Sequence, residues 1–142
     1  MHSLMASIKL QKSRIFAGIL NLGPVLFMRE VLTNPASAGA PCPSSPALAK
    51  KMANAVPKSG EGLVVEVGAG TGVVTEALLE RGIPVHRLLV IEKSPLLCEY
   101  LSRRFPHLKV IQGDAALLAS MLPTGATIDA LVSGVPLRSL SV

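Results

Sequence analysis

Residues 63–72 read Leu63-Val64-Val65-Glu66-Val67-Gly68-Ala69-Gly70-Thr71-Gly72. This run is an apolar strand with one acid, followed by three glycines at alternate positions. Glycines have no Cβ, so they permit a tight turn and allow backbone N–H groups to approach a ligand at the start of a helix. We therefore predict that Gly68, Gly70 and Gly72 form a nucleotide-cofactor loop between a strand and a helix. A glycine-rich turn that holds no ligand is the alternative interpretation.

The spacing of the glycines distinguishes between two classes of cofactor. The dinucleotide fingerprint G-x-G-x-x-G would place its third glycine at Val73, whereas here the third glycine is Gly72 and the pattern is E-x-G-x-G-x-G. Glu66 is also predicted to bind the cofactor, because a carboxylate in an apolar strand is costly to bury unless a cation or several donors meet it. The ammonium of a methionine moiety would do so. The pattern resembles the S-adenosylmethionine loop of class I methyltransferases, which implies S-adenosylmethionine as the cofactor.

Apolar strands and helical segments alternate after the loop. Strands are expected at 63–67, 87–91, 108–112 and 128–133, and helices at 72–81, 95–105 and 115–121. This alternation favours parallel βαβ units with right-handed connections. With a switch point at the glycine loop, it predicts an α/β, Rossmann-like three-layer domain with strand order 3-2-1-4. Strand four would then be an unprotected edge through which the chain could self-associate.

The residues in front of the loop differ in charge from those behind it. The chain of 142 residues has a net charge of +5 and is 49% hydrophobic, which is enough for one core. Residues 1–59 hold seven basic residues and one acid, and residues 60–142 hold seven basic and eight acidic residues. We therefore divide the chain into a basic N-terminal helical arm, 1–59, and a cofactor domain, 60–142. The arm could contact the phosphates of RNA or of anionic lipid, or could simply be a soluble surface.

Two helices are expected in the arm. The first, 15–33, contains an apolar run that is too short to span a bilayer and is interrupted by Asn21 and Pro24, so an amphipathic or partly buried helix is preferred to a secretory signal. The second begins with Ser45 as N-cap and Pro46 as first helical residue. Cys42 and Cys98 show no metal-binding spacing, so no metal site is predicted and both are interpreted as ordinary thiols in a reducing compartment.

Two acids follow the second and third predicted strands. Glu92 stands where a doubly wound fold places an acid that accepts hydrogen bonds from the ribose hydroxyls, although it could also be a solvated charge at a strand end. Asp114 is predicted to accept a hydrogen bond from the adenine amino group while the Ala115 backbone contacts the edge of the ring. A helix N-cap is the alternative role for Asp114.

The fourth predicted strand ends in Ser133-Gly134-Val135-Pro136. An amine-methylating enzyme has a short polar-x-x-Pro loop at this edge, whose carbonyl and side chain accept from the substrate nitrogen. Such acceptors orient the nitrogen lone pair toward the sulfonium methyl, and orientation supplies most of the catalysis. Ser133 and Pro136 are therefore the predicted catalytic residues.

The order of these motifs resembles the bacterial phospholipid N-methyltransferase family, which is related to the ribosomal RNA adenine dimethyltransferases. The resemblance rests on Phe27-x-x-Glu30, Asn34-Pro35, Pro43-Ser44-Ser45, the glycine loop, Glu92, Gly113-Asp114 and Val135-Pro136-Leu137-Arg138-Ser139-Leu140. It implies that Ser44 and Ser45 lie beside the cofactor and that the N-terminal helix covers the active site and touches the membrane. The implied substrate is a phospholipid amino head group, and the implied place is cytoplasmic, peripheral to the inner face of the membrane.

RNA remains the second candidate partner. RNA adenine dimethyltransferases are expected to carry an Asn-x-Pro-aromatic loop whose aromatic residue stacks on the extruded base, and this chain has Leu137 at that position, which disfavours base methylation. The sequence also ends soon after its fourth predicted strand, before a fold of this class is complete. An inactive fragment that binds only the cofactor or lipid is therefore a third interpretation.

Overall fold

The computed structural model of the protein describes residues 45–134. Its elements are α1 (Pro46–Ala55), β1 (Leu63–Val67), α2 (Val73–Glu80), β2 (Leu88–Glu92), α3 (Pro95–Arg104), β3 (Lys109–Gln112), α4 (Leu118–Met121) and β4 (Ile128–Ser133), with 3₁₀ turns at Val85–Arg87 and Ala115–Leu117. The predicted helix 15–33, Cys42, Ser44 and Pro136 lie outside the described residues.

The four strands form one parallel sheet in the order β3-β2-β1-β4. Both the parallel pairing and the predicted order are confirmed. In the part of the chain that the structure describes, β4 pairs with β1 alone, so β4 is an edge strand there as predicted. The glycine loop leaves β1 between β2 and β4, which is the switch point of a doubly wound sheet.

The register places alternate residues on opposite faces of the sheet. One face carries Val64, Leu88, Val90 and Val132, which pack with α1, α2 and α3 into the larger core. The other face carries Val65, Val67, Leu89 and Ile91, and the segment 115–122 packs on it. Leu131 pairs with Val65 in register and is 55% exposed, so this second face is covered only in part by the described residues.

Two helices begin with a serine N-cap followed by proline. The Ser45 hydroxyl accepts a hydrogen bond from Leu48 N at 3.2 Å, and the Ser94 hydroxyl accepts one from Leu97 N at 3.3 Å. Proline fits the first helical position because its missing N–H would have no partner there. The predicted cap at Ser45 is confirmed. Although α1 belongs to the sequence-defined arm, Ala49 and Ala53 lie in the larger core, and the division at residue 59 stays a prediction.

Several predicted boundaries shift by one to three residues. The second strand begins at Leu88 because Arg87 lies in a 3₁₀ turn, where its buried guanidinium donates to Gly62 O, Lys58 O and Asp129 Oδ2 at 2.9, 2.8 and 2.8 Å. Residues 115–117 form a 3₁₀ turn, so the predicted helix 115–121 is helical only from Leu118. Gly72 precedes α2 as its N-cap with a φ of 84°.

No helix within residues 45–134 has the length and apolarity needed to cross a membrane.

Candidate cofactor site

The three glycines of the loop all adopt left-handed backbone conformations. Their φ angles are 69° at Gly68, 58° at Gly70 and 84° at Gly72. A residue with a Cβ would be strained at such angles, which explains why glycine stands at each alternate position. Gly68 N also donates to Ile91 O at 2.8 Å, so the loop is hydrogen-bonded to β2 as well as continuous with β1. The predicted strand-to-helix loop is therefore present.

Glu92 lies directly against this loop at the carboxyl end of β2. Its Oε2 accepts from Gly70 N at 2.9 Å and its Oε1 accepts from Ser94 N at 3.0 Å. Glu92 is only 4% exposed, so the alternative of a solvated strand-end charge is wrong. The structure thus brings Glu92 and Gly70 together, while the contact of Glu92 with ribose hydroxyls stays a prediction.

Glu66 is buried on the face of β1 that packs against α2. It is 1% exposed, and its Oε2 accepts from Thr75 Oγ1 at 2.7 Å. The pKa of Glu66 is raised to about 7, chiefly by burial and in smaller part by the charge of Glu92, while the hydrogen bond from the Thr75 hydroxyl acts in the opposite direction. The sequence predicts a ligand ammonium beside Glu66, whereas the structure places the Thr75 hydroxyl there. A hydroxyl in the first turn of the helix after the loop is the sequence signal that indicates this partner. Contact of Glu66 with the cofactor stays a prediction.

Asp114 caps the 3₁₀ turn that follows β3. Its Oδ1 accepts from Ala116 N at 3.0 Å, and its Oδ2 lies 2.9 Å from Lys93 Nζ. The hydrogen bond from Ala116 and the Lys93 ammonium lower the pKa of Asp114, so it is a carboxylate at neutral pH. The N-cap alternative is therefore confirmed. Each oxygen of a carboxylate can accept more than one hydrogen bond, so Asp114 can cap the turn and still accept from adenine. The contacts of Asp114 and Ala115 with adenine stay a prediction.

The carboxyl end of β4 also reaches the loop. Ser133 pairs with Val67 in register, and Gly134 N donates to Val67 O at 2.9 Å. A Cβ on Gly134 would lie 2.5 Å from Gly68 O, which is a backbone atom, so the close approach requires glycine at this position. Ser133 is therefore beside the glycine loop, and its role in orienting a methyl acceptor stays a prediction.

The remaining predicted site residues are placed less fully. Ser45 is the exposed N-cap of α1, and its place beside the cofactor stays a prediction, as do those of Ser44 and Pro136.

Cys98 Sγ donates to Glu92 O at 3.2 Å, and burial raises its pKa to about 11, so it is a thiol rather than a reactive thiolate. Within residues 45–134, no three histidine, cysteine, aspartate or glutamate side chains cluster closely enough to hold a metal ion.

The loop, Glu92, Asp114 and Ser133 converge at the carboxyl ends of β1, β2, β3 and β4, where open parallel sheets bind their ligands. A separate open cavity of about 500 Å³ lies at the amino-terminal ends of the strands, with Leu63, His86, His107 and Lys109 among its lining residues. The cavity is therefore at the opposite end of the sheet from the glycine loop. The predicted cofactor-binding residues lie at the loop end of the sheet, so the cofactor is expected there and not in this cavity.

Comparison with known proteins gives two kinds of relative. No protein family model matches the sequence. An ornithine lipid N-methyltransferase of Singulisphaera acidiphila is 31% identical over 119 residues, which are 80% of this chain and 62% of that protein. A probable ribosomal RNA small subunit methyltransferase A of Methanospirillum hungatei is 40% identical over 78 residues, 51% of this chain and 29% of that protein. The chain thus spans less than two thirds of the length of either relative.

Among solved structures, DesVI of Streptomyces venezuelae matches with a TM-score of 0.47 and 23% identity, over 62% of this chain and 35% of that chain.

Proposed function

We propose that this chain binds S-adenosylmethionine and transfers its methyl group to an amine nitrogen. The chain belongs to the class I methyltransferases and is related both to lipid N-methyltransferases and to ribosomal RNA methyltransferases. The observation that carries the proposal is the E-x-G-x-G-x-G loop in its left-handed conformation, with the buried carboxylate of Glu92 hydrogen-bonded to Gly70 N at 2.9 Å.

The residues present fit an adenosine-containing ligand. Three glycines without side chains leave the backbone of the loop open to close approach. Each oxygen of Glu92 accepts one protein N–H in the structure and has a second lone pair that a ribose hydroxyl could use. Asp114 is a carboxylate at the end of the neighbouring strand, where it could accept from an exocyclic amino group.

When bound, the cofactor would supply a sulfonium methyl that is already reactive toward an amine. The chain's own residues would then have to hold the acceptor nitrogen in line and keep its lone pair free of a proton. Ser133 beside the loop and Pro136 beyond it are the residues we assign to that task. Glu66 would contact the methionine ammonium, and Ser44 and Ser45 would lie beside the cofactor.

The acceptor we favour is the amino head group of a phospholipid or of a similar amine-bearing lipid. The lipid-methylating relative aligns with 80% of this chain, whereas the ribosomal RNA methyltransferase relative aligns with 51%. Leu137 also stands where a base-methylating enzyme needs an aromatic residue. The protein would act at the inner face of an anionic membrane, with the basic arm 1–59 in contact with the lipid.

Methylation of ribosomal RNA is the second candidate, since a stretch of 78 residues of this chain is 40% identical to a probable ribosomal RNA methyltransferase. A transfer assay with S-adenosylmethionine labelled in the methyl group separates the two candidates. Vesicles of phosphatidylethanolamine or ornithine lipid should become labelled, and small-subunit ribosomal RNA should not. Labelled RNA with unlabelled lipid would overturn the lipid assignment.

The same assay tests the third interpretation, a chain that binds without turnover. Calorimetry with S-adenosylhomocysteine, and with NAD as competitor, is run on the same preparation. Binding without transfer to any acceptor would assign cofactor binding alone to this chain. Saturable binding of NAD with no response to S-adenosylhomocysteine would contradict the proposed cofactor.

A further inference from the structure

Arg104, the last residue of α3, contacts the backbone of the glycine loop. Its Nη1 donates to Thr71 O at 2.8 Å, and its Nη2 donates to Glu76 Oε2 at 2.7 Å. The side chain is 16% exposed, and its guanidinium lies 5.0 Å from the centroid of the Phe105 ring. Arg104 therefore joins the loop to the first turn of α2 through a guanidinium that is largely shielded from water.

The same end of α3 packs directly against the last glycine of the loop. A Cβ built on Gly72 would lie 2.7 Å from Phe105 Cε2 and 2.8 Å from Leu101 Cδ2. The two side chains thus fill the space that a side chain at position 72 would need. This packing places Arg104 beside Thr71, one residue before Gly72.

Glu92 also holds the loop, because it accepts from Gly70 N at 2.9 Å. Thr71 lies between Gly70 and Gly72, and its carbonyl belongs to the same planar peptide unit as the Gly72 N–H. Gly72 N donates to Ala69 O at 2.9 Å, so a rotation of that peptide unit would break this bond and the bond to Arg104 together. Two side chains from different elements therefore fix three consecutive residues of the loop.

We propose that Arg104 is a positioning residue for the cofactor loop. Its hydrogen bond holds the loop in the binding conformation before S-adenosylmethionine or S-adenosylhomocysteine binds. The inference rests on the proposed function, because the ligand of the loop is the one assigned there. Its physical basis is that a loop ordered in advance loses less conformational entropy when the ligand binds. Arg104 would act through the Thr71 carbonyl, to which it donates, rather than by binding the ligand itself.

The test compares Arg104→Ala with Arg103→Ala. Arg103 is the neighbouring residue of the same helix and pairs with Glu99 on the exposed surface, so its removal takes away an ion pair without touching the loop. A second variant, Glu76→Gln, removes the charge partner of Arg104 and leaves the hydrogen bond to Thr71. A third, Arg104→Lys, keeps the charge but cannot form the two-pronged contact.

Affinity for S-adenosylhomocysteine is measured by calorimetry on the full chain. Arg104→Ala should weaken binding about 10-fold, as expected for a lost charge-assisted hydrogen bond that orders the site. Arg103→Ala and Glu76→Gln should stay within about twofold, and Arg104→Lys should recover part of the loss. Equal affinities of Arg104→Ala and Arg103→Ala would overturn the inference.

Hydrogen exchange without ligand supplies a readout that a general loss of stability does not reproduce. The amides of Gly70 and Gly72 should exchange faster in Arg104→Ala, while amides in the middle of β1 and β2 should not change. A uniform increase over the whole domain would overturn the positioning role. If the unaltered protein fails to bind S-adenosylhomocysteine but Arg104→Ala still accelerates these two amides, the proposed function has failed and the control of the loop by Arg104 stands.

Discussion

The amide nitrogen of Gly70 lies 2.9 Å from Glu92 Oε2, so the acid assigned to the ribose also holds the loop assigned to the rest of the cofactor. Glu92 accepts a second backbone bond from Ser94 N, the N-cap of α3. One buried carboxylate therefore connects the loop after β1 with the helix after β2. A ligand on this site would meet an acid whose position is already determined by two backbone donors.

Replacing Glu92 should therefore reduce ligand binding by two routes. Glu92→Ala removes the ribose acceptor and leaves Gly70 N and Ser94 N without their partner, and we expect a loss of about 1–3 kcal/mol in the free energy of S-adenosylhomocysteine binding. Calorimetry measures it. Glu99→Ala, an exposed acid on α3, is the control and should have no effect. Unchanged affinity of Glu92→Ala would contradict the ribose assignment.

Gly72 and Gly82 form a matched pair for testing the packing around the loop. Both have positive φ, 84° and 95°, but a Cβ at Gly72 would meet Phe105 and Leu101 whereas a Cβ at Gly82 would meet nothing within 4 Å. Gly82→Ala should lower the free energy of unfolding by about 1 kcal/mol through backbone strain alone. Gly72→Ala should lower it further, because strain and overpacking add.

Urea unfolding measures both variants, and calorimetry with S-adenosylhomocysteine follows the site. Gly72→Ala should lose most of its binding, while Gly82→Ala should keep it. Equal destabilisation of the two variants would show that α3 does not restrict the loop.

The burial of Glu66 predicts a pH dependence of stability. Its pKa is raised from 4.5 to about 7 in the folded protein, so the folded state keeps a proton that the unfolded chain releases. Stability should fall as the pH rises from about 4.5 to 7, by about 3 kcal/mol for this group. Glu66→Gln should remove this fall and be the more stable protein at pH 8. Unfolding at pH 5 and pH 8, with Glu99→Gln as control, measures the effect.

A cationic ligand group near Glu66 should offset part of the free-energy cost of ionising this buried carboxyl. Because a nearby ammonium favours the ionised carboxylate, affinity for S-adenosylhomocysteine should increase between pH 6 and pH 8, and binding near pH 7 should release a proton. Calorimetry in two buffers of different ionisation enthalpy detects that proton. Binding that is independent of pH in this range would separate Glu66 from the ligand ammonium.

The glycine loop and the strand order could be predicted because both follow from local rules. Glycine spacing identifies the turn, and right-handed crossovers then restrict where β2, β3 and β4 can lie. The contacts of Lys93 and Arg104 could not be predicted in this way. Each joins residues from different elements, and whether Arg104 reaches Thr71 depends on how α3 is inclined on the sheet. Sequence showed Arg104 only as a charge in the last turn of a helix.

Glu66 also shows that the sequence does not identify the partner of a buried side chain. Its burial followed from the apolar residues around it, and the need for a polar partner followed from its charge. The partner expected from the sequence was a ligand, whereas the structure supplies the hydroxyl of Thr75 from α2. A hydrogen-bonding requirement can thus be derived from sequence without identifying the group that meets it.

The edge of the sheet at β4, which no other strand of residues 45–134 covers, predicts self-association. Leu131 is 55% exposed on β4, and a charged side chain on an edge strand opposes pairing with another chain. Leu131→Lys should therefore lower the apparent mass that sedimentation reports at high protein concentration. Leu117→Lys is the matched control, since Leu117 is 62% exposed but lies in the turn before α4. If both variants change the mass equally, general surface hydrophobicity rather than the β4 edge is responsible.

The basic arm predicts how the protein reaches its acceptor. Lys9, Lys12, Phe16 and Phe27 belong to the sequence pattern of an interfacial helix and lie outside the described residues. Burial of apolar side chains in lipid survives added salt better than phosphate contacts do, because those weaken as counterions are added. Cosedimentation with anionic liposomes should therefore persist at moderate salt and decrease when Phe16 and Phe27 are both replaced by Ser. The charge variant Lys9→Gln with Lys12→Gln should lower binding at low salt and matter less at moderate salt. If the Phe replacements have no effect while an RNA oligomer binds tightly and in a salt-dependent manner, the arm contacts RNA, and the lipid assignment loses its membrane-binding element.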